Sequence, residues 1–397
     1  MPRFEPFSAI RYRLDRCDLD RVAAPPYDVL SEADLDTLEA RDPHNIVHVD
    51  VPRERDGDGR YEAAGRRLAE WIHDGVMERD AAPTFTLYRM SFVDEAGTAR
   101  ETVGVIGGLE VVDEGAGGVL PHERTTPKAK TDRLDLTRAT LTNLSPVWGL
   151  SLAAGLSELL VESGEPVGSV TVDGVTHSVE RVSDPSRVAA ISAKVGSEPV
   201  VIADGHHRYA ISRTYRDEVR AATGRRDTDA ELTMTYVAEL ISEQLSIEAI
   251  HRLYDDTTAD ALLAHLATRF DLDPAGRIEP AITIEMAQRG SLCFVHPDGT
   301  GTWLTPKADM FHGVRDLDSM RLEHALADFD HTVGYQHGVG HIVDAVTSGA
   351  HVAGILIRPV GIAEIRRTAD EGLLMPPKST FFTPKLRTGM VLRPLDL

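Results

Sequence analysis

The stretch Val200-Val201-Ile202-Ala203-Asp204-Gly205-His206-His207-Arg208-Tyr209 decides how this chain is read. Three β-branched residues, Val200, Val201 and Ile202, predict a buried strand. Asp204-Gly205 is a turn pair, and the pattern from about His207 to Arg220 predicts a helix behind it. A carboxylate, a glycine, two imidazoles and a guanidinium are therefore crowded into one strand-to-helix turn. Amides at a helix start point outward, the macrodipole is positive there, and glycine admits close approach, so the turn suits an anion. A plainer alternative is that Asp204 caps the helix while the histidines pack or face solvent. None of the five is an apolar core residue, which favours a functional reading of the group.

Working outward, two further segments have the same chemical character. Pro121-His122-Glu123-Arg124-Thr125-Thr126-Pro127-Lys128-Ala129-Lys130-Thr131-Asp132-Arg133 is rich in charge and hydroxyls and nearly lacks apolar side chains. It holds four basic residues in a chain with 63 acidic and 42 basic residues, net −21, which suggests the wall of a pocket. The second, Met375-Pro376-Pro377-Lys378-Ser379-Thr380-Phe381-Phe382-Thr383-Pro384-Lys385, interleaves prolines with hydroxyls and lysines, a rigid loop offering donors and positive charge. Near the start, Pro25-Pro26-Tyr27-Asp28 fixes an extended turn, with Asp28 as the residue to test.

Elsewhere the pattern predicts a helix from Ser31 to Ala40, with Ser31 as cap and Asp34 placed for the reciprocal contact. It predicts a strand over 45–51, a helix over 61–75 ending at Gly75, and a hairpin of strands 85–93 and 102–112. A helix over 132–142, a strand over 232–241, a helix over 259–270, strands over 281–286, 291–296 and 349–359, and a helix over 362–372 follow. This is an α/β chain with a mixed sheet. At 397 residues it exceeds one ordinary domain, and we expect an N-terminal α/β region, 1–255, and a C-terminal α/β region, 256–397.

Composition narrows the function classes. The acidic balance repels nucleic-acid phosphate and anionic membrane, so neither is expected as a partner, and a small-molecule substrate is. No apolar run approaches the ~20 residues of a membrane span, and the first residues lack the order of a signal peptide; a cytoplasmic location is expected. Cys17 and Cys293 are far apart and have no activating neighbours, so neither a disulfide framework nor a cysteine zinc site is indicated.

The 121–125 loop, the 204–209 turn, the 375–380 segment with Pro384-Lys385, and Ala24-Pro25-Pro26-Tyr27-Asp28-Val29 occur in one order. In these motifs the chain resembles, over nearly its whole length, the bacterial and archaeal family catalogued as domain of unknown function 1015. The strand, Asp-Gly-His-His-Arg turn and helix over about 195–220 are also similar to the nucleotide-binding turn of the ParB/sulfiredoxin-like superfamily. That superfamily includes free-serine kinases, ParB-type CTP-binding proteins and sulfiredoxins. The resemblance implies a ParB/sulfiredoxin-like core and nucleotide phosphates, of ATP or ADP, held with Mg²⁺ at the helix start. His206 and His207 stand where a sulfiredoxin would carry its cysteine, which argues against that activity.

The leading expectation is a nucleotide-dependent small-molecule kinase that phosphorylates a hydroxyl, serine-like or other. Such a reaction needs alignment and charge neutralisation more than covalent chemistry. Gly205 and the following amides would cradle phosphate, and Arg208, with Lys130, Arg133 or Lys378, would offset its charge. His122, Ser379, Thr380 and Lys385 complete the expected phosphate and nucleotide set. Asp204 would hold Mg²⁺. Glu123 is the expected base, with His206 or His207 in competition. Two alternatives stay open: a metal-dependent hydrolase using Asp204, His206, His207, His122, Glu123 and His251, and a non-catalytic nucleotide sensor.

Overall fold

Val200–Asp204 is a strand with four of its five residues buried, and the helix His206–Thr223 follows it after a single residue, Gly205. The computed structural model describes residues 1–94, 97–124 and 130–396, without the side chains of residues 130 and 131. The expected hairpin turn at 95–96, the loop positions 125–129 and the side chain of Lys130 lie outside the described residues.

By its contacts the chain forms two compact units, residues 1–245 with 384–397, and residues 246–383. The boundary expected after residue 255 falls ten positions further on, at the end of the strand Ile250–Asp255.

The first unit is built on a nine-stranded mixed sheet. Its main path runs Val119–Pro121, Val200–Asp204, Val147–Ser151, Leu232–Glu239, Ala99–Glu110, Phe85–Val93, Val175–Val182, Glu165–Val172. Val200–Asp204 pairs parallel with Val119–Pro121, Ile202 opposite Pro121, and antiparallel with Val147–Ser151, Asp204 opposite Trp148. The three strand ends near Asp204 are thus set by register. Phe4, Phe85, Leu87, Val105, Val200, Ile202 and Tyr209 belong to one buried cluster behind the sheet, so the strand and its helix are anchored by the same core.

The second unit carries a six-stranded sheet whose pairings are all antiparallel. Its order is Phe270–Arg277, Thr300–Pro306, Leu292–Val295, Ala353–Leu356, Ile250–Asp255, Thr332–His337. The fold is the mixed-sheet α/β class expected from the pattern.

Most local expectations hold. Ser31 caps Glu32–Arg41 with the reciprocal Asp34 contact in place, and Arg60–His73 buries Ala64, Leu68 and Trp71. Two segments correct the reading. Residues 45–51 form no strand: Asn45 Oδ1 accepts the Val47 amide at 3.2 Å and a helical turn, Val47–Asp50, follows. The alternation at 281–286 is likewise helical, Ile282–Arg289. Ile282 and Met286, four apart, are buried, whereas Ile284 between them is 56% exposed.

Candidate functional site

The turn after Ile202 is closed by backbone conformation. Gly205 is left-handed (φ +82°), and a Cβ there would lie 2.9 Å from Arg208 Nε. As N-cap of the following helix it supplies no side-chain acceptor to the first-turn amides.

Asp204 is the electrostatic centre. Its Oδ2 accepts from Arg208 Nη2 at 3.0 Å and lies 3.4 Å from Lys385 Nζ. Burial would raise its pKa, but the charges of Lys385 and Arg208 outweigh that and hold the carboxyl well below the usual range. Its side chain keeps 27% exposure, against 12% for Arg208 and 17% for Lys385. Arg208 also donates to the carbonyl of Pro146, at the start of the neighbouring strand.

Arg208 and Arg133 line one cleft of about 50 Å³ together with Tyr27, Asp50, Asn143, Ser145 and Ser212. The Arg133 guanidinium stacks 3.4 Å above the Tyr27 ring and donates to Asp50 Oδ1 at 3.0 Å. Burial raises the Asp50 pKa, against the opposing pull of Arg133 and Arg208. A water needs roughly 10–15 Å³ by this measure, so the cleft holds a few water-sized groups, a phosphoryl end and not a nucleoside.

On the parallel side, His122 is fully buried and its Nδ1 lies 2.6 Å from the Ile202 carbonyl. The ring is 5.1 Å from that of His206. Burial lowers His122 to about 4; burial and then His122 lower His206 to about 3. Both imidazoles are neutral at pH 7, which suits hydrogen bonding rather than charge neutralisation. Glu123 follows His122, two residues beyond the end of the strand Val119–Pro121, and is half-buried, as is His207.

Of the sequence-derived candidates, the first unit therefore brings together Asp204, Gly205, His206, Arg208, Arg133, His122 and Lys385. Lys378, Ser379 and Thr380 belong to the second unit, where the Lys378 carbonyl accepts from Arg252 at 3.2 Å and Ser379 is buried. Tyr27, Asp50 and the Pro146 carbonyl were not among the candidates. The rigid Pro25-Pro26 turn was the available pointer to Tyr27, while Asp50 sits in the segment whose alternation suggested a strand.

Asp204 suits Mg²⁺, which takes one or two carboxylates with waters and phosphate oxygens for the rest. Among the described residues no three His, Cys, Asp or Glu side chains converge as a metal shell, and His251 lies in the second unit. The hydrolase alternative therefore draws no support from side-chain geometry.

A family model described as "Protein of unknown function (DUF1015)" matches residues 4–320. No curated protein matches the chain. Among solved structures, a free serine kinase in complex with AMP is similar at 12% identity and TM-score 0.37, covering 67% of this chain and 84% of that one. A C-terminally truncated SbnI from Staphylococcus aureus is similar at 11% identity and TM-score 0.38, covering 71% and 85%. A conserved hypothetical protein from Pyrococcus furiosus is similar at 11% and 0.36, covering 67% and 87%.

Proposed function

The chain belongs to the DUF1015 family, and we propose that it is a nucleotide-dependent phosphotransferase acting on a hydroxyl of a small metabolite. The observation that carries this reading is the Asp204 carboxylate held between Arg208 and Lys385 at a helix start opened by glycine, beside a phosphoryl-sized cleft with Arg133.

In this reading Asp204 is a stand-in for phosphate. Arriving phosphate oxygens take over the donors of Arg208 and Lys385, which frees the carboxylate to face the metal. Mg²⁺, when bound, neutralises phosphate charge. Gly205 lets phosphate reach the helix-start amides, where the fixed dipole needs no reorganisation. Arg133, held by Tyr27 and Asp50, offsets charge on the transferred group. Glu123 accepts the proton of the attacking hydroxyl, and the neutral imidazole of His206 orients that hydroxyl. A serine-like acceptor is the reading the motif resemblance favours.

The test is a ligand screen on the full chain by thermal unfolding, with ATP and ADP with and without Mg²⁺, and with Zn²⁺ alone. Nucleotide at ~100 times Kd should stabilise by about 2.7 kcal/mol. A shift with Zn²⁺ and none with Mg²⁺-nucleotide would replace the phosphotransferase by the hydrolase. Glu123→Gln should keep the nucleotide shift and lose phosphoryl transfer; unchanged transfer removes Glu123 from the base role.

A further inference from the structure

The cleft that Arg208 shares with Arg133 and Tyr27 holds more polar groups than phosphate binding uses. Its hydroxyls fall into two sets. Those of Thr137, Thr142 and Ser212 donate to backbone carbonyls at 2.8, 2.9 and 3.0 Å and are spent within the fold. The hydroxyls of Tyr27 and Ser145 make no hydrogen bond among the described residues. Neither does the Asn143 amide nitrogen, although the oxygen of that side chain accepts from the Met234 amide at 3.0 Å.

Asp50 is the decisive neighbour. Its side chain is 3% exposed, and Oδ1 accepts from Arg133 at 3.0 Å. Oδ2 accepts no hydrogen bond among the described residues, yet it is not sealed in the core, so it opens on the cleft. A buried carboxylate oxygen without a donor is costly. A phosphate oxygen cannot relieve it, because two anions would meet. The group that fits must bring a proton, and a hydroxyl and an ammonium both do.

Position ties that donor to the transfer. Arg208 and Ser145 line this cleft and also the adjoining one that holds Asp204 and Lys385. A molecule seated on Asp50 therefore lies beside the phosphate that Arg208 would hold. The volume of about 50 Å³ admits only a short group.

We propose that Asp50 sets the acceptor specificity: its Oδ2 receives a second hydrogen-bond donor, hydroxyl or ammonium, carried by the acceptor next to the hydroxyl that is phosphorylated. Tyr27, Asn143 and Ser145 line the same subsite and take the acceptor's remaining polar groups. This rests on the phosphotransferase reading and adds the acceptor class, short diols and amino alcohols rather than simple alcohols. In the transfer, the bond from acceptor oxygen to phosphorus forms, the bond from phosphorus to the nucleotide's leaving oxygen breaks, and the hydroxyl proton passes to Glu123.

Three probes of similar size separate the arms. L-serine has an ammonium on the carbon beside the reacting one, glycerate has a hydroxyl there, and 3-hydroxypropionate has neither. Each is offered to the full-length chain with Mg²⁺-ATP and with Mg²⁺-ADP, and the phosphorylated product is followed. The expected result is a kcat/KM for L-serine or glycerate at least tenfold above that for 3-hydroxypropionate, and the better of the two identifies the donor. Asp50→Asn keeps an oxygen for Arg133 but puts an amide where the open oxygen was, so the ratio should fall toward one. A merely displaced Arg133 would slow all three probes alike; a ratio that survives in Asp50→Asn therefore overturns the proposal. A wild-type ratio near one also overturns it, and the wild-type ratio decides should the variant fail to fold. Nucleotide binding without phosphorylation of any probe overturns the proposal and leaves the nucleotide site standing. Absence of nucleotide binding overturns the phosphotransferase reading, and the proposal with it.

Discussion

Two strand-to-helix turns of this molecule solve the same problem with opposite economy. In the first unit, Gly205 opens the helix in a left-handed conformation, and the arginine of that turn pairs with a carboxylate four residues before it, Asp204. In the second, Gly361 opens the helix with an extended backbone (φ −76°), and Arg358 pairs with Asp318, 40 residues earlier. Asp318 is sealed, with 2% of its side chain exposed, whereas Asp204 keeps 27% and has a second cation, Lys385. One pair is a structural lock. The other is partly open and carries two cations, the arrangement on which the proposed exchange of its carboxylate for an anion rests.

Removing each arginine should separate the two roles most clearly. Arg358→Ala leaves Asp318 buried and uncompensated, and should destabilise by about 3–5 kcal/mol in chemical denaturation. Arg208→Ala leaves Asp204 with Lys385 and partial solvent, and should cost only about 1–2 kcal/mol. Equal losses would mean that both pairs are locks and would remove the exchange argument.

That contrast also explains what could be read from the residues in order. The Asp204–Arg208 pair, its strand and its helix lie within a few positions, so pattern and turn chemistry locate them directly. Ser31 and Asp34 were legible for the same reason. Asp318 and Arg358 have no local signature linking them, since a fold must first bring two helix starts together. Arg133, Tyr27 and Asp50 are similarly far apart in sequence. Asp50 was further hidden because Val47, Val49 and Val51 alternate with His48 and Asp50 as in a strand, while Asn45 locally favours a turn.

The buried neutral histidines of the first turn give it a pH signature. His122 has a folded pKa of about 4, below the 6.5 of a free imidazole. The unfolded chain therefore takes up a proton first as pH falls. The stability from His122 is complete above pH 6.5 and is lost between 6.5 and about 4, roughly 3 kcal/mol in all. Unfolding free energies across this range should fall less steeply in His122→Gln. An unchanged slope would show that the ring is not held neutral.

The smallest effects should have opposite signs at the two glycines. Gly205→Ala forces a Cβ into a left-handed position against Arg208 and should destabilise by about 1–2 kcal/mol. Gly361→Ser has open space and an ordinary φ, and gives its helix a cap, a gain of roughly 0.5–1 kcal/mol. Melting temperatures of the two variants suffice, and a loss at Gly361 would show that its helix start is already satisfied.

The central claim is that the 204–208 turn exchanges its own carboxylate for the phosphates of a nucleotide. Calorimetric titration of ADP and ATP, each with Mg²⁺, into the wild-type chain and Arg208→Ala tests it most directly. The account predicts saturable binding by wild type and at least a hundredfold weaker binding by a folded Arg208→Ala. Undiminished affinity in that variant, or no heat in wild type with either nucleotide, would contradict it.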